Sequence, residues 1–406
     1  MYAILSYINM IEAHFEMSTK RVKAFAGRCG WERFGCRRRS RRKNGLAERE
    51  NIRFVVAEMR RAILLHRDLL RLGKEIVNWQ SRIRTMRSAC FCGQSNLKQK
   101  GNTNMNEKKT VFKGAASALV TPLNENGVDY PALEKLIEWQ IEKGINALVI
   151  CGTTGEASTL TDDEHREVIR FAIEKTNGRV PVIAGTGSND TDYAIELTKY
   201  ACEVGADAVL VVTPYYNKAT QKGLIQSFTA IADASTKPVI LYNVPSRTGC
   251  NILPATASVL ADHPMIVGIK EASGNISQIA ELAAAVRGRM DIYSGNDDQI
   301  VPVLSLGGVG VISVLSDIMP AETVEMCDRF FRGDVTGSAK LQLDLLPMIN
   351  ALFSEVNPIP VKAASAAMGL CDNYVRLPLT VMEPEHEAKM IAVMKEWNLI
   401  PEGGNA

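Results

Sequence analysis

Histidine is scarce in this 406-residue chain. There are five, His14, His66, His165, His263 and His386, and no two stand at metal-ligand spacing. A histidine-held metal is not expected. Long apolar runs are missing as well: none approaches the ~20 residues that a membrane span needs, so no membrane partner is expected. The first ten residues carry no cationic segment and no Ala-x-Ala site follows, which speaks against a secretory signal. Paired cysteine spacing is absent. The nine cysteines are an odd number, and Cys90-Phe-Cys92 has no second pair at zinc spacing. Cys151, Cys202, Cys250, Cys327 and Cys371 lie in apolar or helical contexts, as small core residues do in a reducing cytoplasm. The first strand is followed by no glycine-rich dinucleotide fingerprint; Ser117-Ala118-Leu119-Val120-Thr121-Pro122 stands there instead.

Charge of one sign is missing only from the total. The chain has a net charge of +2, yet residues 1–104 carry 23 Lys and Arg against 8 Asp and Glu, and residues 105–406 carry 24 against 37. A body that acidic is not a nucleic-acid binder by electrostatics. The basic head contains Arg37-Arg38-Arg39-Ser40-Arg41-Arg42-Lys43 and an Arg-rich helical pattern over 51–87. A nucleic-acid arm or a targeting segment is one reading. The more economical reading is an addition outside the fold, disordered or irregularly helical. The polar stretch 99–104 then breaks structure, and Met105 opens the body.

What the body does have is alternation. Short apolar runs at 115–120, 147–151, 181–184, 207–212, 239–242, 266–270, 290–293 and 310–314 alternate with amphipathic stretches, among them 130–143, 162–176 and 297–306. Strands without polar alternation are buried on both faces, as parallel strands are. Eight such units predict a (β/α)8 TIM barrel over 105–333. An open doubly wound sheet is the structural alternative. Residues 334–406 read as a C-terminal helical segment of about three helices, 337–353, 358–368 and 384–397, packed onto the barrel.

Barrel chemistry gathers at the C-terminal ends of the strands. Gly152-Thr153-Thr154-Gly155-Glu156 follows the second strand, and Tyr215-Tyr216 follows the fourth. Tyr242 ends the fifth and Arg247 follows it, Lys270 ends the sixth, Gly295 follows the seventh, and Ile312 lies in the eighth. Each has a plain structural reading: a tight turn, an interface pair, a core tyrosine, an arginine on a helix end. Lys270 is the least ordinary, because lysine rarely ends a buried strand without a partner or a task. An apolar surround frees a lysine amine to attack a carbonyl. A lysine, three hydroxyl-bearing residues and an arginine at one mouth suit Schiff-base chemistry on a small 2-oxo acid. Backbone N–H groups near Thr153 and Thr154 hold its carboxylate, and Arg247 holds that of a second substrate.

With those motifs, Gly-Thr-Thr-Gly-Glu at 152–156, Tyr-Asn-Val-Pro-Ser-Arg-Thr-Gly at 242–249 and Gly-Ile-Lys-Glu-Ala at 268–272, the body over 111–399 resembles the dihydrodipicolinate synthases, within the pyruvate-dependent class I aldolase/lyase superfamily. The resemblance implies condensation of pyruvate with L-aspartate 4-semialdehyde to 4-hydroxy-tetrahydrodipicolinate, in lysine and diaminopimelate synthesis. It makes Lys270 the Schiff-base lysine and Tyr242 the general acid/base. Thr153 and Tyr216 complete a proton relay, Tyr216 being lent by a neighbouring subunit. Thr154, Ile312 and Gly295 join Arg247 as substrate-binding residues. No cofactor beyond the covalent pyruvate is implied, and the assembly is a homotetramer in the cytoplasm. Sister enzymes such as N-acetylneuraminate lyase and sugar-acid aldolases share the lysine and tyrosine; Arg247 and Thr154 favour the synthase. A non-catalytic barrel homologue is the other class of reading. Lysine-inhibited members hold a histidine and a glutamate where this chain has Asp162 and Tyr193, although Asn189, His165 and Tyr215 remain. Feedback inhibition by lysine is therefore expected to be weak or absent.

Overall fold

The computed structural model describes residues 108–400; the reading of the head at 1–104 lies outside them. The apolar runs become strands with both faces covered. Every residue of β1 (Gly114–Ala118) is buried. A two-residue hairpin, β2 (Leu123–Asn124) and β3 (Gly127–Val128), leads into α1 (Tyr130–Glu142). Then β4 (Ala147–Ile150), α2 (Asp162–Thr176), β5 (Val182–Gly185), α3 (Thr191–Glu203), β6 (Ala208–Val212) and α4 (Gln221–Ala234) alternate. β7 (Val239–Asn243) is followed by the single turn α5 (Pro245–Thr248) and by α6 (Pro254–Leu260). β8 (Ile266–Glu271), α7 (Ile276–Val286), β9 (Asp291–Ser294), α8 (Ile300–Ser305), β10 (Gly310–Ser313) and α9 (Pro320–Phe331) complete the alternation.

All ladders in the main sheet are parallel, and β1 pairs with both β4 and β10, which closes an eight-stranded barrel. The expected TIM barrel is what forms. The closure is glycine against glycine: Gly114 lies opposite Gly310, and a Cβ on Gly310 would overlap the Gly114 carbonyl. Two apolar layers follow from the two strand faces. Ala116, Ala147, Ile183, Ala208, Ile240 and Ile312 fill the barrel interior. Leu148, Val209, Leu241 and Ile269 face outward and pack under Leu136, Val168, Leu197 and Phe228 of the helices.

Local chemistry sets the helix starts. Thr161 and Glu164 form a capping box at α2, and Asp129 caps α1 with Pro131 in its first turn. The C-terminal segment has four helices rather than three: α10 (Val335–Asp344), α11 (Leu346–Leu352), α12 (Ile359–Ala367) and α13 (Pro384–Glu396). The single helix expected at 337–353 is broken because Pro347 lacks an N–H and starts a new helix instead. The helix expected at 297–306 begins as a 3-10 turn, Asp297–Gln299, and becomes α-helical only from Ile300. The first strand stops at Ala118 rather than 120: Leu119 N–H makes the last bond to β4, at Val149 O, and Val120 N–H turns away to Asp317 Oδ1. Among the described residues no helix is long and apolar enough to cross a membrane.

Candidate active site

Parallel pairing of β7 with β8 sets Tyr242 opposite Lys270. Both side chains are buried, and Lys270 Nζ lies 4.5 Å from the centroid of the Tyr242 ring. β9 then sets Tyr293 on the other side of Lys270. Gly295 leaves space for the lysine stem: a Cβ there would lie 3.1 Å from Lys270 Cγ and 2.6 Å from Ala272 Cβ. The strand ends are locked just beyond this pair. Asn243 Nδ2 donates to Glu271 Oε2 at 3.0 Å, Ser273 N–H donates to Glu271 Oε1 at 2.7 Å, and Ile252 N–H donates to Asn243 Oδ1 at 2.9 Å. Burial pushes the Glu271 carboxyl above the usual carboxylate range.

The turn after β4 is built tightly. Cys151 and Glu156, at its two ends, both hold left-handed backbone, with φ of 55° and 54°. Glu156 N–H donates to Thr153 O at 3.1 Å, and Thr121 Oγ1 donates to Gly155 O at 2.7 Å. A side chain at Gly155 would press on Leu119 O and Thr121 Oγ1, both 3.1 Å from its Cβ. Thr153 is half-buried. Thr154 is fully buried, and its Oγ1 accepts from Asn357 Nδ2 at 3.0 Å. Asn357 has a second tie: its carbonyl accepts from Arg247 Nη2 at 3.1 Å. Arg247 rides on α5 at the exit of β7 and is exposed. Ile312 lies in the barrel interior among the buried apolar residues.

Two carboxyls lie buried at the feet of this region. Asp297 Oδ2 accepts from Val314 and Leu315 N–H at 3.0 and 2.9 Å, and Asp317 Oδ1 accepts from Val120 N–H at 3.0 Å. Burial raises both carboxyls, Asp317 the more strongly, and the Lys270 charge works against burial at each. Among the described residues no group of three or more His, Cys, Asp or Glu is placed to hold a metal.

Residues 111–397 match the model of the dihydrodipicolinate synthetase family. The chain belongs to this family. A curated relative from Lachnoclostridium phytofermentans, a 4-hydroxy-tetrahydrodipicolinate synthase, is 60% identical over 292 residues, covering 71% of this chain and 99% of the relative. The solved dihydrodipicolinate synthase of Thermotoga maritima is 42% identical with a TM-score of 0.71, covering 72% of this chain and 100% of that one. The chloride-inhibited enzyme of Acinetobacter baumannii, complexed with pyruvate, is 46% identical with a TM-score of 0.70 and covers 72% and 100%. The chain is thus an enzyme of the dihydrodipicolinate synthetase family, and its TIM barrel is the family's fold.

Within this family member, not every expected site residue meets the others. Lys270, Tyr242 and Gly295 are gathered, and Thr154 and Arg247 are joined through Asn357. Tyr216 stands apart, 91% exposed and with a φ of 68°. Asn243, Glu271 and Asn357 were not singled out from sequence. Glu271 carried a signal, a second charge at the end of an apolar run; Asn357 carried none beyond its place before a proline. At the two positions on which the expectation of weak lysine inhibition rests, Tyr193 Oη donates to Asp162 Oδ1 at 2.7 Å, and Arg166 Nε donates to Asp162 Oδ2 at 2.8 Å. These hydrogen bonds hold the Asp162 carboxyl below its usual range. Burial, then the Asp162 hydrogen bond, raises the Tyr193 hydroxyl to about 12.

Proposed function

We propose that the chain condenses pyruvate with L-aspartate 4-semialdehyde to 4-hydroxy-tetrahydrodipicolinate through a Schiff base on Lys270, as the 4-hydroxy-tetrahydrodipicolinate synthase of lysine and diaminopimelate synthesis. The observation that carries this reading is the Lys270–Tyr242 pair, an amine and a phenol side by side in the barrel mouth. The Lys270 amine attacks C2 of pyruvate and water leaves, giving an imine. Loss of a C3 proton makes an enamine, whose carbon attacks the aldehyde of the second substrate. The amine of that substrate then displaces Lys270 from C2 and closes the ring. The lysine nitrogen is the electron sink throughout, so the reading needs no further cofactor.

Tyr242 is the acid/base in this scheme, and Thr153 and Tyr216 relay its proton. Thr154, Gly295 and Ile312 shape the pyruvate site, and Arg247 takes the carboxylate of the aldehyde substrate. Two features of Tyr216 support a relay completed by a neighbouring subunit in a homotetramer. The ring is bare to solvent, and its left-handed backbone is costly for a bulky residue. The five free cysteines among the described residues support a reducing, cytoplasmic setting. The division into a head at 1–104, a barrel at 105–333 and a helical segment at 334–406 belongs to the same reading.

The test is borohydride trapping with pyruvate, read by intact mass and peptide mapping, with Lys270→Ala as control. A pyruvate-sized adduct on Lys270, and turnover with aspartate semialdehyde, are the expected results. No adduct on the wild-type chain would sink the Schiff-base reading and leave a binding-only barrel. An adduct without aspartate semialdehyde turnover would point to a sister aldolase.

A further inference from the structure

We propose that Lys362 and Glu156 are a positioning pair that fixes the Thr153–Thr154 turn for pyruvate, an inference that rests on the function proposed above. Lys362 lies on α12 in the C-terminal segment and is completely buried, as is the Glu156 side chain. Lys362 Nζ lies 2.6 Å from Glu156 Oε1 and donates to Thr121 O, also at 2.6 Å. One ammonium group therefore ties the exit of β1 to the end of the turn after β4. The other Glu156 oxygen, Oε2, accepts from Arg376 N–H at 3.3 Å.

The location gives the pair its meaning. Two buried charges are a poor source of stability, because their desolvation offsets their attraction, and an apolar pair of similar volume often does as well. What an ion pair adds is direction. Here it acts on a turn that needs holding, since Glu156 carries left-handed backbone that a side-chain-bearing residue adopts only under constraint. Thr154 is two residues away in the same turn. It is reached by the same C-terminal segment through Asn357, which immediately precedes the Pro358 N-cap of α12. Asn357 and Lys362 thus hold the turn at two points. Lys362 touches neither Lys270 nor Tyr242 among the hydrogen bonds and ion pairs of the described residues, so its role passes through Glu156 and Thr121.

The pair is tested with Glu156→Gln and with the double variant Glu156→Gln/Lys362→Met, measuring melting temperature, pyruvate-adduct formation, and KM for each substrate. The double variant removes both charges and avoids the lone buried Lys362 ammonium that Glu156→Gln leaves by itself. It is expected to melt within a few degrees of wild type, yet to show a pyruvate KM raised about tenfold, in line with the sensitivity of a reacting geometry to small misplacement. KM for aspartate semialdehyde stays unchanged. A wild-type pyruvate KM would overturn the inference whatever the melting temperature, as would equal losses for both substrates. If the double variant does not fold, the near-isosteric Glu156→Gln decides: a selective rise in pyruvate KM supports positioning, and an unchanged one refutes it. A wild-type chain that traps no pyruvate overturns the function first and this inference with it; a wild type that traps pyruvate isolates the pair as the point at issue.

Discussion

Lys270 and Tyr242 are register partners on adjacent parallel strands, and the lysine nitrogen stands 4.5 Å from the centre of the tyrosine ring. Backbone hydrogen bonding, rather than loop geometry, sets their spacing. A site built on strands is held more exactly than one built on loops.

Replacing Tyr242 by Phe keeps the ring that packs beside Lys270 and removes only the hydroxyl. Turnover should fall by about 10²–10⁴-fold, the usual contribution of a positioned acid/base. The melting temperature should change little, because the hydroxyl accounts for a small part of the buried surface. A steady-state rate within about twofold of wild type would remove Tyr242 from the acid/base role.

Tyr216 offers a subunit test. If its hydroxyl serves a neighbour, Tyr216→Phe and Lys270→Ala are each impaired for different reasons. Mixing the two purified variants under conditions of subunit exchange should restore activity, since some sites then combine an intact Lys270 with an intact Tyr216. Recovery that never exceeds the sum of the two parents would place Tyr216 outside the relay.

Lysine is expected to inhibit weakly. Tyr193 and Asp162 are hydrogen-bonded to each other, and Arg166 already partners the remaining Asp162 oxygen. A bound amino acid would have to compete with both contacts. A lysine titration with half-inhibition below the millimolar range would contradict this.

Acid stability has an identifiable contributor. Arg376 donates to both oxygens of Glu164 at 2.6 Å, and that pairing, against some burial, holds the Glu164 carboxyl at about 2. A carboxyl with a depressed folded pKa contributes stability that is fully present above its unfolded pKa near 4.5. That contribution is lost as pH falls towards about 2. Glu164→Gln should therefore lower the melting temperature at neutral pH and narrow the gap to wild type as pH falls from 4.5 to 2. A constant gap across that range would mean the ion pair is not the source. Solvent reaches this pair, so the effect is expected to be modest.

How much of this could be read in the chain beforehand follows from how local each signal is. The eight strands were legible because parallel strands buried on both faces leave uninterrupted apolar runs, as in Ala208–Val212. Lys270 was legible because a charge closing such a run is out of place. Asn357 was not, because its partner Thr154 lies 203 positions away and only the fold joins them. Lys362 looked like any helical cation, and its complete burial is a tertiary fact. Pro347 was visible, but its position inside a long amphipathic pattern was read through, so two helices were taken as one. Tyr216 could be named, but among the described residues nothing of this chain covers it.

The closing of the barrel has a consequence for how the chain is made. β1 emerges from the ribosome early, yet one of its two neighbours is β10. The amide of Val120, just past β1, waits for an acceptor on Asp317, 197 positions later. The carbonyl of Thr121 waits longer, 241 positions, for Lys362. Contacts of such sequence separation are slow to form, because the chain entropy of closing the loop comes before any reward. A nascent chain halted after β8 would carry Lys270 and Tyr242 side by side and still have an open barrel with an unanchored Thr153–Thr154 turn. On the function and the Lys362 role proposed above, the chemistry waits for α12, near the end of synthesis.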